Sequence, residues 1–226
     1  MSIAVTDNAA NEQKAYELLE WTRFGCYGHR INLVVKNALK IPDVVRILGK
    51  IQKLVTFFHQ STSMADLLFD KQKLLMEEGS IIGHKLIMDV VTRWNSTLHM
   101  LKRILEQIPA VSAVANDPTI TKSASSTLRN CLLTFDKQAV VEDLVTVLDP
   151  FDKTTTIVCG ENIPTLQKIL PLVVKLTRLS EEGDYDSPTI KRVTQQIQNE
   201  MGNRTEPERI ALVACILNPY TKDLTF

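Results

Sequence analysis

Asp7 closes the short apolar run Ile3-Ala4-Val5, one residue after Thr6. A carboxylate at the end of a buried strand can ligate Mg²⁺, which takes carboxylate oxygens and keeps several waters. Two such ions flanking a phosphate stabilise both the attacking and the leaving oxygen. That chemistry needs a cluster of carboxylates; taken alone, Asp7 reads as a helix cap or turn residue. Cys26 and His29 form a C-x-x-H pair. A structural zinc site needs four ligands, and the other histidines, His59, His84 and His99, show no paired spacing, so no metal is assigned to the pair. The third feature is Thr92-Arg93-Trp94-Asn95-Ser96-Thr97. Arg93 could contact a phosphate or pair with a carboxylate. Thr92 could cap the helix that follows, and the spacing of Trp94 to Leu98 and Leu101 makes it a core residue.

The elements that position these residues follow from pattern. Ser2 to Thr6 reads as a short buried strand, and Asp7/Asn8 as the start of a helix to about Glu20, with Ala15, Leu18 and Leu19 apolar. Thr22 to Cys26 reads as a second strand, and His29 to Lys40 as a helix with Ile31, Val34, Val35 and Ala38 on one face. After Pro42 a strong helical period opens with Val44, Ile47, Leu48, Ile51, Leu54, Val55 and Phe58. A further helix is expected from Ser63 to Glu77, with a turn marked by Gly79 and Gly83. Trp94, Leu98, Leu101, Leu105 and Ile108 form the next stripe. Asn116-Asp117-Pro118 breaks the chain, and Thr119 to Ser126 reads as a polar loop. A long helix from Asp136 to about Val158 carries Pro150, which predicts a kink or break. Pro164 and Pro188 read as first-turn prolines of two further helices. Glu181 to Asp184 reads as an acidic linker, and Thr205 with Glu208 as a capping box for the last helix. The fold class is therefore mainly α, with a small α/β segment at residues 1–42 and a helical array at 43–226.

Three stretches taken in order carry a resemblance: Thr6-Asp7-Asn8-Ala9-Ala10-Asn11, Cys26-Tyr27-Gly28-His29-Arg30-Ile31-Asn32-Leu33, and the Arg93-Trp94 motif. Together they resemble the core of hAT-superfamily transposases, most closely the derived proteins of the zinc finger BED domain-containing type. Val147-Leu148-Asp149-Pro150-Phe151, Asn162-Ile163-Pro164-Thr165 and Leu217-Asn218-Pro219 resemble that family's helical insertion. At the last of these the family's Leu-Asp-Pro-Arg-Phe-Lys is here Leu217-Asn218-Pro219-Tyr220-Thr221-Lys222.

The resemblance implies that residues 1–42 are part of an RNase H-like segment and that 43–226 are the helical domain inserted into it. It matches Asp7 to the second acid of a three-acid catalytic set. The first and third positions fall outside this stretch, as do the BED finger and the dimerisation region. It implies a chain that is not an enzyme on its own and expects no cofactor, Mg²⁺ belonging at Asp7 only in a complete relative. It also implies DNA contacts at Arg93 and Trp94, with the indole stacking on a flipped base, and a structural or site-adjacent role for Cys26 and His29. Family members act on DNA in the nucleus, as transposases or as domesticated regulators of transcription. Two other readings stand beside this one: a helical scaffold for nuclear protein partners, including SUMO-linked regulation, and a non-functional transposon remnant.

Composition limits the choices. The 226 residues are 44% hydrophobic and 23% charged, a globular balance. Lys+Arg and Asp+Glu both number 26, which argues against a dedicated nucleic-acid-binding domain with a basic face while allowing a local patch. The four cysteines show no CxxC pair, so neither a disulfide framework nor a complete zinc site is legible. No apolar run reaches the ~20 residues that span a bilayer. The first residues lack the basic and apolar regions of a signal peptide. Cytosol or nucleus is the expectation. Phosphate-cradling glycine loops and Gly-x-Ser-x-Gly elbows are absent from the sequence.

Overall fold

The computed structural model describes residues 3–7, 10–75, 83–90, 93–160, 164–181, 183, 185–206 and 208–221. The chain is mainly helical. In order it runs β1 (Ile3–Thr6), α1 (Ala10–Leu18), β2 (Thr22–Gly25), α2 (Tyr27–Ala38), α3 (Pro42–His59), α4 (Thr62–Leu75), α5 (Trp94–Ala115), α6 (Lys122–Cys131), α7 (Phe135–Val158), α8 (Leu166–Glu181), α9 (Pro188–Arg204) and α10 (Arg209–Leu217). The expected positions Asn8, Gly79, Thr92, Asn162 and Lys222 lie outside the described residues.

Packing gathers the chain into two compact units. One holds residues 1–39 together with 147–226, and the other holds 40–146. The first unit thus joins the start of the chain to its last third.

In the first unit β1 and β2 pair in parallel, with Val5 opposite Phe24 and Thr6 opposite Gly25. The helix between them is the crossover a parallel pair requires. Beside this pair α2 packs against α9, and α8 packs against both α9 and α10. The facing stripes are Ile31, Val34, Val35 and Ala38 on α2, and Ile190, Val193, Ile197 and Met201 on α9, all buried. Each such aliphatic side chain contributes roughly 1.5–3 kcal/mol when fully buried. Asn37 Nδ2 of α2 donates to Glu200 Oε2 of α9 at 2.9 Å across the same contact.

In the second unit α4 packs along α5, and α6 against α5 and α3. α3 begins with Pro42 in its first turn, where the missing N–H costs nothing. Its stripe Val44, Ile47, Leu48, Ile51, Leu54, Val55 and Phe58 is buried throughout, as the period predicts.

Several expectations are corrected. Residues 122–126, expected in a polar loop, open α6; Thr121 Oγ1 accepts from Ala124 N–H at 3.2 Å and starts the helix. The inner face of α5 runs through Trp94, Leu98, Leu101, Ile104, Gln107 and Val111 rather than Leu105 and Ile108. α7 continues through Pro150 without a break. α8 starts at Leu166, past Pro164. The apolar side chains of Leu18 and Leu19 are exposed. Thr205 and Glu208 make no capping box: Thr205 closes α9, donating its hydroxyl to Met201 O at 2.7 Å, and Glu208 is the N-cap of α10.

Candidate functional site

The register of the two strands decides what lies next to Asp7. Thr6 pairs with Gly25, and Cys26 N–H donates to Thr6 O at 2.7 Å. Asp7 and Cys26 therefore leave the carboxyl ends of adjacent parallel strands side by side. In open α/β sheets ligands bind outside this edge. Asp7 is exposed there. Among the described residues no group of three or more His, Cys, Asp or Glu side chains is placed to hold a metal ion. Phosphoryl chemistry on Mg²⁺ needs such a carboxylate cluster, so no catalytic step is derived through such an ion.

Cys26 is the N-cap residue of α2, and its side chain makes no capping hydrogen bond. His29 stands in the first turn of the same helix. The two line different concavities. Cys26 borders an apolar one with Phe24, Gly28, Val158 and Leu166, whereas His29 borders a polar one with Arg30, Arg204, Glu206 and Glu208. The C-x-x-H spacing therefore does not turn both side chains into one pocket.

The polar concavity is the better-built of the two. The Arg30 guanidinium pairs with the Glu208 carboxylate, and Gly25 N–H donates to the same oxygen at 3.4 Å. Tyr27 is 3% exposed and donates its hydroxyl to Glu206 O at 3.0 Å. Its ring stacks on Phe24, centroids 5.7 Å apart, and lies 4.7 Å beneath the Arg30 guanidinium. Burial pushes the Tyr27 phenol above its ordinary pKa, against the opposing pull of Arg30. Nearby, burial alone would raise the Glu200 carboxyl, but hydrogen bonds from Arg204 and Asn37 hold it below its ordinary value. Nothing in the sequence marks Arg30 and Tyr27 as neighbours of Glu206 and Glu208. Their partners are remote along the chain, and the only local signal at Glu208 pointed to a cap.

Arg93 and Trp94 belong to the second unit. Arg93 is exposed and is the N-cap residue of α5. Trp94 is 2% exposed, and its indole Nε1 is buried without a hydrogen-bond partner. Stacking on a nucleic-acid base needs an open π-face, and the Trp94 ring has none in this arrangement. The turn before α5 is held by Asp89, whose Oδ1 accepts from the hydroxyls of Ser96 at 2.8 Å and Thr97 at 2.9 Å. Its Oδ2 accepts from Gln52 Nε2 on α3 at 3.0 Å. Asp89 thus acts as a structural clamp that fixes where Arg93 emerges.

Comparison with known proteins places these residues. Residues 24–147 match the family model described as the ZBED1 RNase-like helical domain, which is more than half of the chain. The chain belongs to the zinc finger BED-type, hAT-derived family. It is similar to zinc finger BED domain-containing protein 4 of Homo sapiens, with 26% identity over 230 residues. That alignment covers 100% of this chain and 18% of the relative, so the chain spans less than a fifth of the length of the curated protein it matches. The family match takes in Cys26, His29, Asp89, Arg93 and Trp94 of this BED-type chain; Asp7 lies outside it. Among the described residues no helix is long and apolar enough to cross a membrane.

Proposed function

We propose that this chain is part of a domesticated, nuclear, hAT-derived protein that binds DNA and regulates transcription, and that it has no catalytic activity of its own. In this reading residues 1–42 are the partial RNase H-like segment, 43–226 are the inserted helical domain, and Asp7 is a vestige of the transposase acids. The observation that carries the reading is the family match over residues 24–147. Arg93 makes the DNA contact, as a phosphate-directed cation at the exposed start of α5. Trp94 serves that contact from below, as the buried anchor of the same turn. Cys26 and His29 belong to the frame at the strand ends and hold no metal.

The test is a nicking and strand-transfer assay on a DNA hairpin with Mg²⁺ and the purified chain. The expected result is no product from either the natural chain or Asp7→Ala. Product from the natural chain that Asp7→Ala abolishes overturns the non-catalytic reading.

A second reading, a scaffold for nuclear protein partners, is favoured by one observation. Val213, Ile216, Leu217 and Tyr220 recur at helical spacing on and just after α10, with exposures from 45% to 93%. In that reading Arg93→Ala changes nothing, and the α10 stripe carries the affinity for a partner.

A further inference from the structure

Cys26 and Cys159 are remote in sequence, yet the fold brings their sulfurs to one spot. A Cβ placed on Gly28 would lie 2.6 Å from Cys159 Sγ and 3.7 Å from Cys26 Sγ. The two sulfurs are therefore no further apart than the sum of those distances, with the bare Gly28 Cα and a Val158 methyl beside them. Both residues sit at helix ends: Cys26 is the N-cap of α2, and Cys159 follows the last residue of α7, its N–H donating to Thr155 O at 3.0 Å. Cys26 is partly exposed and Cys159 exposed, so a small reagent in solvent reaches the pair. Burial pushes the Cys159 thiol above its ordinary pKa, and the neighbouring Cys26 adds to that rise. This is the behaviour of two thiols that share one site.

We propose that Cys26 and Cys159 form a dithiol site that closes to an intramolecular disulfide by exchange with a low-molecular-weight disulfide such as oxidised glutathione. One protein thiolate attacks a sulfur of the reagent, forming a mixed disulfide and releasing one small thiol. The second protein thiol then loses its proton and attacks the mixed disulfide at the protein sulfur, releasing the second small thiol. The net change is two protein thiols oxidised to one disulfide and one reagent disulfide reduced to two thiols. Rotation at the two side chains must bring the sulfurs to bonding distance, about 2.05 Å. Gly28 makes this possible, because any Cβ there would displace the Cys159 sulfur. The bond ties the end of α7 to the β2–α2 junction, one residue from the Gly25–Thr6 pair that positions Asp7.

The test takes the reduced 226-residue chain through glutathione buffers of increasing oxidation, followed by acid quench, non-reducing digestion and mass spectrometry. The expected product is one Cys26–Cys159 linked peptide. Cys26→Ser and Cys159→Ser each lose the link and leave a lasting glutathione adduct on the remaining cysteine. Gly28→Ala lowers the yield of the link several-fold. Cys215, 1% exposed, stays protected from alkylation in each variant that keeps the fold. Separate glutathione adducts on Cys26 and Cys159 without a link overturn the proposal. So does a link to Cys131, or a disulfide between two chains.

Discussion

Arg30 on α2 and Glu208 at the N-cap of α10 form an ion pair that joins the first turn of one helix to the start of another from the far end of the chain. Their side chains are 17% and 31% exposed, so water screens the pair only in part. With Tyr27 donating to Glu206 O, it fastens the segment between α9 and α10 onto the β2–α2 junction. This is how residues after 200 come to frame a site that starts at Cys26.

A double-mutant cycle on Arg30→Ala and Glu208→Ala is expected to give a coupling of about 1 kcal/mol in urea unfolding, near the upper end for partly exposed pairs. A coupling near zero would mean the pair adds geometry without stability.

Trp94→Ala is expected to cost about 3–5 kcal/mol, the range for removing a buried aromatic. Trp94→Phe is expected to recover most of that loss, since shape and burial matter more here than an indole N–H that has no partner. If DNA affinity falls with Trp94→Phe while stability holds, the indole does more than fill the core.

Asp89→Ala removes the acceptor of the Ser96, Thr97 and Gln52 hydrogen bonds. The expected loss is about 1–3 kcal/mol, because the part-buried donors lose a charged partner. Proteolysis before α5, compared in the natural chain and the variant, checks that the damage begins at this turn.

Asp117 supplies a pH dependence. A hydrogen bond from Lys71, with two more from Thr119, lowers its carboxyl from the ordinary 3.8 to about 2. The folded value lies below the unfolded one, so the carboxylate's contribution is complete above about 3.8 and disappears as pH falls toward about 2. Asp117→Asn is expected to flatten urea midpoints across that window. An unchanged slope would remove Asp117 from the acid response.

The legible parts of the fold were those decided within a few turns of chain. The α3 stripe is legible because apolar residues alone mark its period. The α5 stripe is less legible because Gln107, a polar residue, is buried on it, while Leu105 offers an apolar alternative at the same period. α6 is hidden in the sequence because Ser and Thr dominate its first turns; its one local signal is Thr121, the cap ahead of them. At the candidate site, the residue types at Asp7, Cys26, His29 and Arg93 were visible, but their company was not. No local pattern tells that Glu208 reaches Arg30 or that Cys159 meets Cys26 across Gly28. Those depend on which helices pack together, which spacing along the chain does not encode.

The most direct test of the DNA-binding reading is the salt dependence of duplex DNA affinity for the natural chain and for Arg93→Ala. If Arg93 contacts a phosphate, affinity falls as salt rises, and Arg93→Ala weakens binding uniformly across sequences while reducing the slope of log K against log salt by about 1. Binding that is absent at moderate salt, or a slope that Arg93→Ala leaves unchanged, contradicts the account and leaves the scaffold reading in its place.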